Sequence, residues 1–119
     1  MWRITRHGSS YSIKNSMTGL AVDVAGASKK SGANVQLYAS NNSSAQRWKF
    51  IDNGDGSYSI RSDVSGNCLD VAGGSSKNGA NVCVYAPNGT KAQKWTIRPV
   101  GRPVKDGTYR ISSGLSGNK

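Results

Sequence analysis

The sequence predicts an all-β domain assembled from a repeated four-strand unit. Three observations lead there. A unit recurs at a constant offset of 47 residues, apolar residues alternate with polar ones at period two, and Gly, Ser and Asn fill the gaps between the alternating runs. No window shows helical periodicity. At 119 residues with 35% hydrophobic content, the chain can support one modest core and so reads as one domain.

The elements follow in order. Trp2-Arg3-Ile4 is already strand-like, and it matches Trp48-Lys49-Phe50 and Trp95-Thr96-Ile97. The first complete unit runs from Tyr11 to Trp48, and the second from Tyr58 to Trp95. They align without a gap, and about half their positions are identical. Each unit has four apolar segments. The first is Tyr-x-Ile at Tyr11, Tyr58 and again at Tyr109. The second is Val22-Asp23-Val24 or Leu69-Asp70-Val71, and the third is Val35–Tyr38 or Val82–Tyr85. The fourth starts at the Trp. Between the second and third lies a polar loop ending in Gly-Ala-Asn (Gly32, Gly79), which predicts a hairpin with a longish loop. The third unit begins at Tyr109 and reaches Lys119, where the second has Cys68. The repeats thus span roughly 1–47, 48–94 and 95–119, the last incomplete.

Four short strands cannot bury their own apolar face, so the units must pack on one another. At this point the residues resemble a known family. Ala45-Gln46-Arg47-Trp48 and Ala92-Gln93-Lys94-Trp95 look like its Gln-x-Trp signature, preceded by the Val-Asp-Val and Val-Gln-Leu-Tyr segments. The chain resembles the ricin-type β-trefoil lectins and related bacterial carbohydrate-binding modules over essentially its whole length. The resemblance implies a β-trefoil: a six-strand barrel from the first and fourth segments, with hairpins of the second and third capping one end. All six barrel strands are present, near Trp2, Tyr11, Trp48, Tyr58, Trp95 and Tyr109. Cap hairpins are present at 21–38 and 68–85, and the third is missing. The chain is then either a fragment of a longer protein or a domain completed by a second chain. The uncovered third sector should expose an apolar patch, inviting homodimerisation or swapping.

The recurrent Trp residues read as three core side chains, and Gln46 and Gln93 as inward amides that satisfy backbone groups at a corner. Asp23 and Asp70 each sit between two apolar strand residues, so their carboxylates face away from the core. On the next strand Gln36 and Tyr38 share one side, and Val35 and Leu37 the other. Asp23, Gln36 and Tyr38 can therefore form one shallow surface. A fixed carboxylate accepts hydrogen bonds from vicinal sugar hydroxyls, and an aromatic face packs on the ring. The resemblance assigns the sugar site to these three residues. The second unit keeps Asp70 and Tyr85 but has Cys83 in place of Gln36, so the first site should be the more complete. The family's Asn before the Gln is Ala45 or Ala92 here, which weakens the case for galactose; Asn41 and Asn88 are candidate replacement amides.

Cys68 and Cys83 read as a disulfide across the second hairpin, which implies an oxidising compartment; two free, half-buried thiols are the alternative. With His7 the sole histidine, they fit no zinc pattern. The chain has 16 Lys and Arg against 6 Asp and no Glu, giving a net charge of +10. That favours acidic partners, including anionic glycans or wall polymers, with Lys30 and Lys77 on the cap loops best placed. Nucleic acid is disfavoured as a partner. Asp52 and Asp55 could be imagined as a glycosidase pair, but they sit in a Gly-rich turn whose oxygens also lack calcium-loop spacing. No catalytic group, metal or cofactor is expected. No run of residues is apolar and long enough to span a membrane. The expected function is non-catalytic carbohydrate binding by a module of a secreted or cell-surface bacterial protein. The alternative is a trefoil that binds polyanions or proteins through its basic surface.

Overall fold

The computed structural model describes residues 2–74, 81–99 and 107–113. Ten strands form in the expected order: β1 (Trp2–His7), β2 (Ser10–Asn15), β3 (Ala21–Val24), β4 (Val35–Tyr38), β5 (Trp48–Asp52), β6 (Tyr58–Ser62), β7 (Cys68–Val71), β8 (Val82–Tyr85), β9 (Trp95–Pro99) and β10 (Gly107–Ser113). Among the described residues the other elements are four three-residue turns, regular 3-10 turns at Ser44–Gln46 and Lys91–Gln93 and turns broken by a positive-φ glycine at Ala25–Ala27 and Ala72–Gly74.

Antiparallel pairing runs round a ring: β1 with β2, β2 with β5, β5 with β6, β6 with β9, β9 with β10, and β10 back to β1. The repeat fixes the closure points. Tyr11 opposes Trp48, Tyr58 opposes Trp95, and Tyr109 opposes Trp2. Period-two alternation sends Ile4, Ile13, Ile60 and Ile111 into the centre, where all are buried. The tight β1–β2 hairpin turns at Gly8 and Ser9, and Gly8 has φ +67°, a conformation that favours glycine.

Two caps cover the barrel. Cap one is the β3–β4 hairpin, with Asp23 opposite Gln36 and Val22 opposite Leu37. Cap two is the β7–β8 hairpin, with Asp70 opposite Cys83 and Cys68 opposite Tyr85. Each is nailed down by its Trp. Trp48 and Trp95 are fully buried, and their Nε1–H groups donate to the carbonyls of Val22 and Leu69, both at 3.0 Å. Trp2, third of the set, is only half-buried.

The corner before each Trp differs from strand alternation. Gln46 and Gln93 close the 3-10 turns Ser44–Gln46 and Lys91–Gln93, and both side chains are buried. Gln46 Nε2 donates to the Ala39 carbonyl at 2.8 Å, and its Oε1 accepts the Asn41 N–H at 2.9 Å. Gln93 repeats this with Ala86 and Asn88 at 2.9 and 3.0 Å. The role expected of these amides holds, on a different local backbone.

The third sector contains β10 and β1 and no cap hairpin among the described residues. An apolar groove of about 220 Å³ lies against Trp2, Ile13, Val35, Leu37, Ile60 and Val82, among others. Leu37 does share a face with Val35, as alternation requires, yet it is 42% exposed because no described residue covers it. Its counterpart Val84 is fully buried.

The two thiols do not form the expected bond: Cys68 and Cys83 are free and buried. The register explains this. Cys83 opposes Asp70, which makes Cys68 its diagonal neighbour. Diagonal residues stand roughly 7–8 Å apart, beyond the usual disulfide span. Lys77 of the second cap loop and the 114–119 part of the third repeat lie outside the described residues.

Asp63 links two sectors. Its carboxylate accepts hydrogen bonds from Ser10 Oγ and from Lys49 Nζ, the latter at 2.9 Å. Burial acts to raise the Asp63 carboxyl. The bonds from Lys49 and Ser10 and the charges of Lys49 and Arg47 outweigh it and hold the group below its ordinary range.

Two outcomes are expected from this architecture. Gln46→Ala leaves the Ala39 carbonyl and Asn41 N–H without their partner, so stability should fall by about 2–4 kcal/mol in chemical denaturation; a loss under about 0.5 kcal/mol contradicts the corner's role. Asp63 is more acidic folded than unfolded, so its ionised form favours folding. Wild type should exceed Asp63→Asn in stability at pH 7, and the gap should close as pH falls below about 4. A gap that widens on acidification overturns the assignment.

Candidate functional site

Each cap carries an open cup on its outer side. In the first, Asp23 forms part of the lining and is itself only 5% exposed. Its position follows from β3, where Val22 and Val24 turn inwards and Asp23 turns the other way. Two amides hold its carboxylate. Gln46 Nε2 donates to Oδ2 at 2.9 Å, and Gln36 Nε2 donates to Oδ1 at 3.3 Å. A carboxylate offers about four acceptor positions, so roughly two remain for hydroxyl donors.

Gln36, Tyr38 and Asn41 line the same cup, which encloses about 340 Å³. All four residues expected at the first site therefore meet at one place. Tyr38 is 53% exposed, unusual for so large a side chain in this fold, and gives the cup an aromatic wall. Asn41 uses its Oδ1 to accept the Ser43 N–H at 3.0 Å. That leaves its NH2 group as a donor without a partner among the described residues. Gly26 supplies the opposite rim at φ +64°, where the hairpin backbone bends sharply.

The second cup repeats the plan with differences. Asp70, Tyr85 and Asn88 line a depression of about 480 Å³, so the three residues expected there also come together. Gln93 Nε2 donates to Asp70 Oδ2 at 2.9 Å. Cys83 stands where Gln36 does in the first cup, so Asp70 lacks the second amide. Burial, and then the neighbouring Asp70 carboxylate, push the Cys83 thiol up. Burial likewise raises Cys68, against the opposing pull of Arg61. Both thiols are therefore kept protonated and poorly nucleophilic. The second cup also gains Thr90 and Lys91 where the first has Ser43 and Ser44.

Sequence reasoning missed the direct grip of Gln46 on Asp23 and of Gln93 on Asp70. The signal was present, since each Asp precedes its Gln by the same 23 residues. Asp52 and Asp55 are turn residues. Asp52 accepts the Gly54 N–H at 2.8 Å, while Asp55 accepts the Ser57 N–H at 3.0 Å and pairs with Lys94. Hydrogen bonds from Ser57 and Lys94 hold Asp55 far below the usual carboxylate range. Among the described residues no cluster of His, Cys, Asp or Glu could hold a metal ion, and no helix is long and apolar enough to cross a membrane.

Known proteins share this fold. The designed threefold-symmetric protein ThreeFoil superposes with TM-score 0.75 and 33% identity, covering 98% of this chain and 74% of its own. The exo-β-1,3-galactanase 1,3Gal43A of Clostridium thermocellum gives TM-score 0.75 and 34% identity over 80% of this chain; the match takes in only 21% of that enzyme. The Rhizoctonia solani agglutinin gives TM-score 0.77 at 20% identity, covering 95% of this chain and 73% of its own, a likeness of fold. Compared with curated protein sequences, the chain finds no match. Residues 1–85 and 58–119 each match the profile described as ricin-type beta-trefoil lectin domain-like, so the chain belongs to that family.

Proposed function

We propose that this chain is a non-catalytic carbohydrate-binding module that attaches a secreted bacterial protein to glycans. One observation carries the reading: a buried carboxylate, held by two amides in the first cup and one in the second, lines each cup together with an exposed tyrosine. Vicinal hydroxyls suit the open acceptor positions of Asp23, and the apolar face of a pyranose suits Tyr38. The family supports carbohydrate as the ligand class. So do the lectin neighbours, among them a Polyporus squamosus lectin whose structure holds a sialylated trisaccharide. The galactanase supplies a precedent for such a domain within a larger enzyme chain.

The first cup, with both amides in place, carries more of the affinity than the second. Each cup is shallow, so single-site binding is weak, and two cups on one module raise avidity on a polymeric ligand. The net charge of +10 favours a second reading, in which polyanions bind through the Lys and Arg surface without the cups.

On a glycan array, Asp23→Asn and Tyr38→Ala should each reduce binding about tenfold, equivalent to about 1.4 kcal/mol, while thermal unfolding stays within a few degrees of wild type. Unchanged array signals in both variants would refute the assignment. Salt separates the two readings. Cup binding to neutral sugar should move less than about twofold between 50 and 200 mM salt, whereas contacts to several anionic groups should lose orders of magnitude.

A further inference from the structure

The two cups share a frame and differ in their walls. At the 47-residue offset Ala27 is replaced by Gly74, Gln36 by Cys83, Ser43 by Thr90 and Ser44 by Lys91. The first two changes remove side-chain atoms, and the second cup encloses about 480 Å³ against about 340 Å³ for the first. Ala27 holds φ +51°, a left-handed conformation that Gly74 adopts without a side chain.

The last change adds charge. Lys91 opens the turn Lys91–Gln93, is exposed, and lines the second cup together with Asp70 and Tyr85. The ion pairs among the described residues engage Lys49 and Lys94, and Lys91 is in neither. Asp70 does not neutralise it, being 7% exposed and held by Gln93 at 2.9 Å. A second repeat contributes to the same rim. Gly32 of the first cap lines the second cup, and its N–H donates to the Val84 carbonyl at 2.6 Å. Ser31 Oγ accepts the Ala86 N–H at 3.0 Å. The segment pinned there continues directly from Lys29 and Lys30, both exposed. One border of the cup is thus a strap bearing two further cations.

We propose that the second cup is a site for an acidic sugar, with Lys91 as the residue that selects it. Tyr85 packs on the ring and Asp70 accepts its hydroxyls, while Lys91 donates to a carboxylate or sulfate group on the same sugar. A bare anion has no hydroxyl to offer Asp70 and is repelled by it, so both features are required of the ligand. The first cup, with Ser44 in place of Lys91, has no such preference. This inference rests on the carbohydrate reading and adds a ligand class to one cup.

The test titrates the whole chain with matched oligosaccharides: an oligogalacturonide against its methyl ester, and a sulfated galactan oligomer against its desulfated form. The backbone amides of Asn88 and Thr90 report the second cup, and those of Asn41 and Ser43 the first. At the second cup at least one acidic form should bind about fivefold more tightly than its neutral partner in low salt, with no such ratio at the first. The pair that responds distinguishes carboxylate from sulfate. Lys91→Ser should fold as wild type, because Ser44 opens the same turn in the first repeat, and should abolish the ratio. Lys91→Arg should keep it, and Ser44→Lys should create it in the first cup. The inference fails if neither acidic form is preferred at the second cup or if Lys91→Ser retains the preference. It fails equally if acidic oligomers shift only amides outside the cups, which marks binding on the general basic surface. Neutral sugars bound in both cups without an acid preference remove this inference alone and leave the carbohydrate reading standing. Silence of the second cup towards all four oligomers also overturns it, whereas the carbohydrate reading is decided by the glycan array.

Discussion

The structure depends on the corner that precedes each buried tryptophan. One Gln amide there meets three needs within a few ångströms: a loop carbonyl, a loop N–H and the carboxylate of the cap. Two residues on, the indole N–H takes a carbonyl of the same cap strand. Neither side chain contacts water, so these polar groups have no alternative partners, and leaving any one unpaired is costly. The hairpin is therefore held to the barrel by polar contacts as much as by apolar burial. No buried side-chain nitrogen or oxygen lacks a partner among the described residues.

The same amide joins stability to the cup. Asp23 is buried before any ligand arrives, and its orientation is set by Gln46 and Gln36 rather than by solvent. A ligand meeting this carboxylate orders little else, which matters where each contact is modest. In the second cup the Cys83 substitution removes one of the two restraints, while Lys91 brings a cation to the rim. The cups thus share a frame and differ in what they can restrain.

Much of this was legible in the residues. The repeat gave the barrel strands and hairpins, and alternation correctly put Asp23, Gln36 and Tyr38 on one side and Leu37 on the other. Alternation could not give distances across a pair. Cys68 and Cys83 do share a face, but opposition of Cys83 to Asp70 makes them diagonal, and a bond needs direct approach. It also failed at Gln46, because a 3-10 turn does not obey strand period, although its inward direction was right. The exposure of Leu37 depends on what packs against it among the described residues, which its own side chain cannot reveal. The residues that line the two cups follow from family likeness and strand faces together, whereas the Gln–Asp grip needed coordinates.

The corner's bonds are also short in sequence. Asp23 and Gln46 are 23 residues apart, and Val22 and Trp48 are 26 apart, with the same separations in the next repeat. Loop closure over such spans is entropically cheap, so a repeat can settle its own cap before its neighbours are in place. A gene segment duplicated or deleted in steps of one repeat carries its corner intact. Evolution by copying is therefore mechanically safe here, and copies are free to diverge at their outer walls while inheriting the same anchorage.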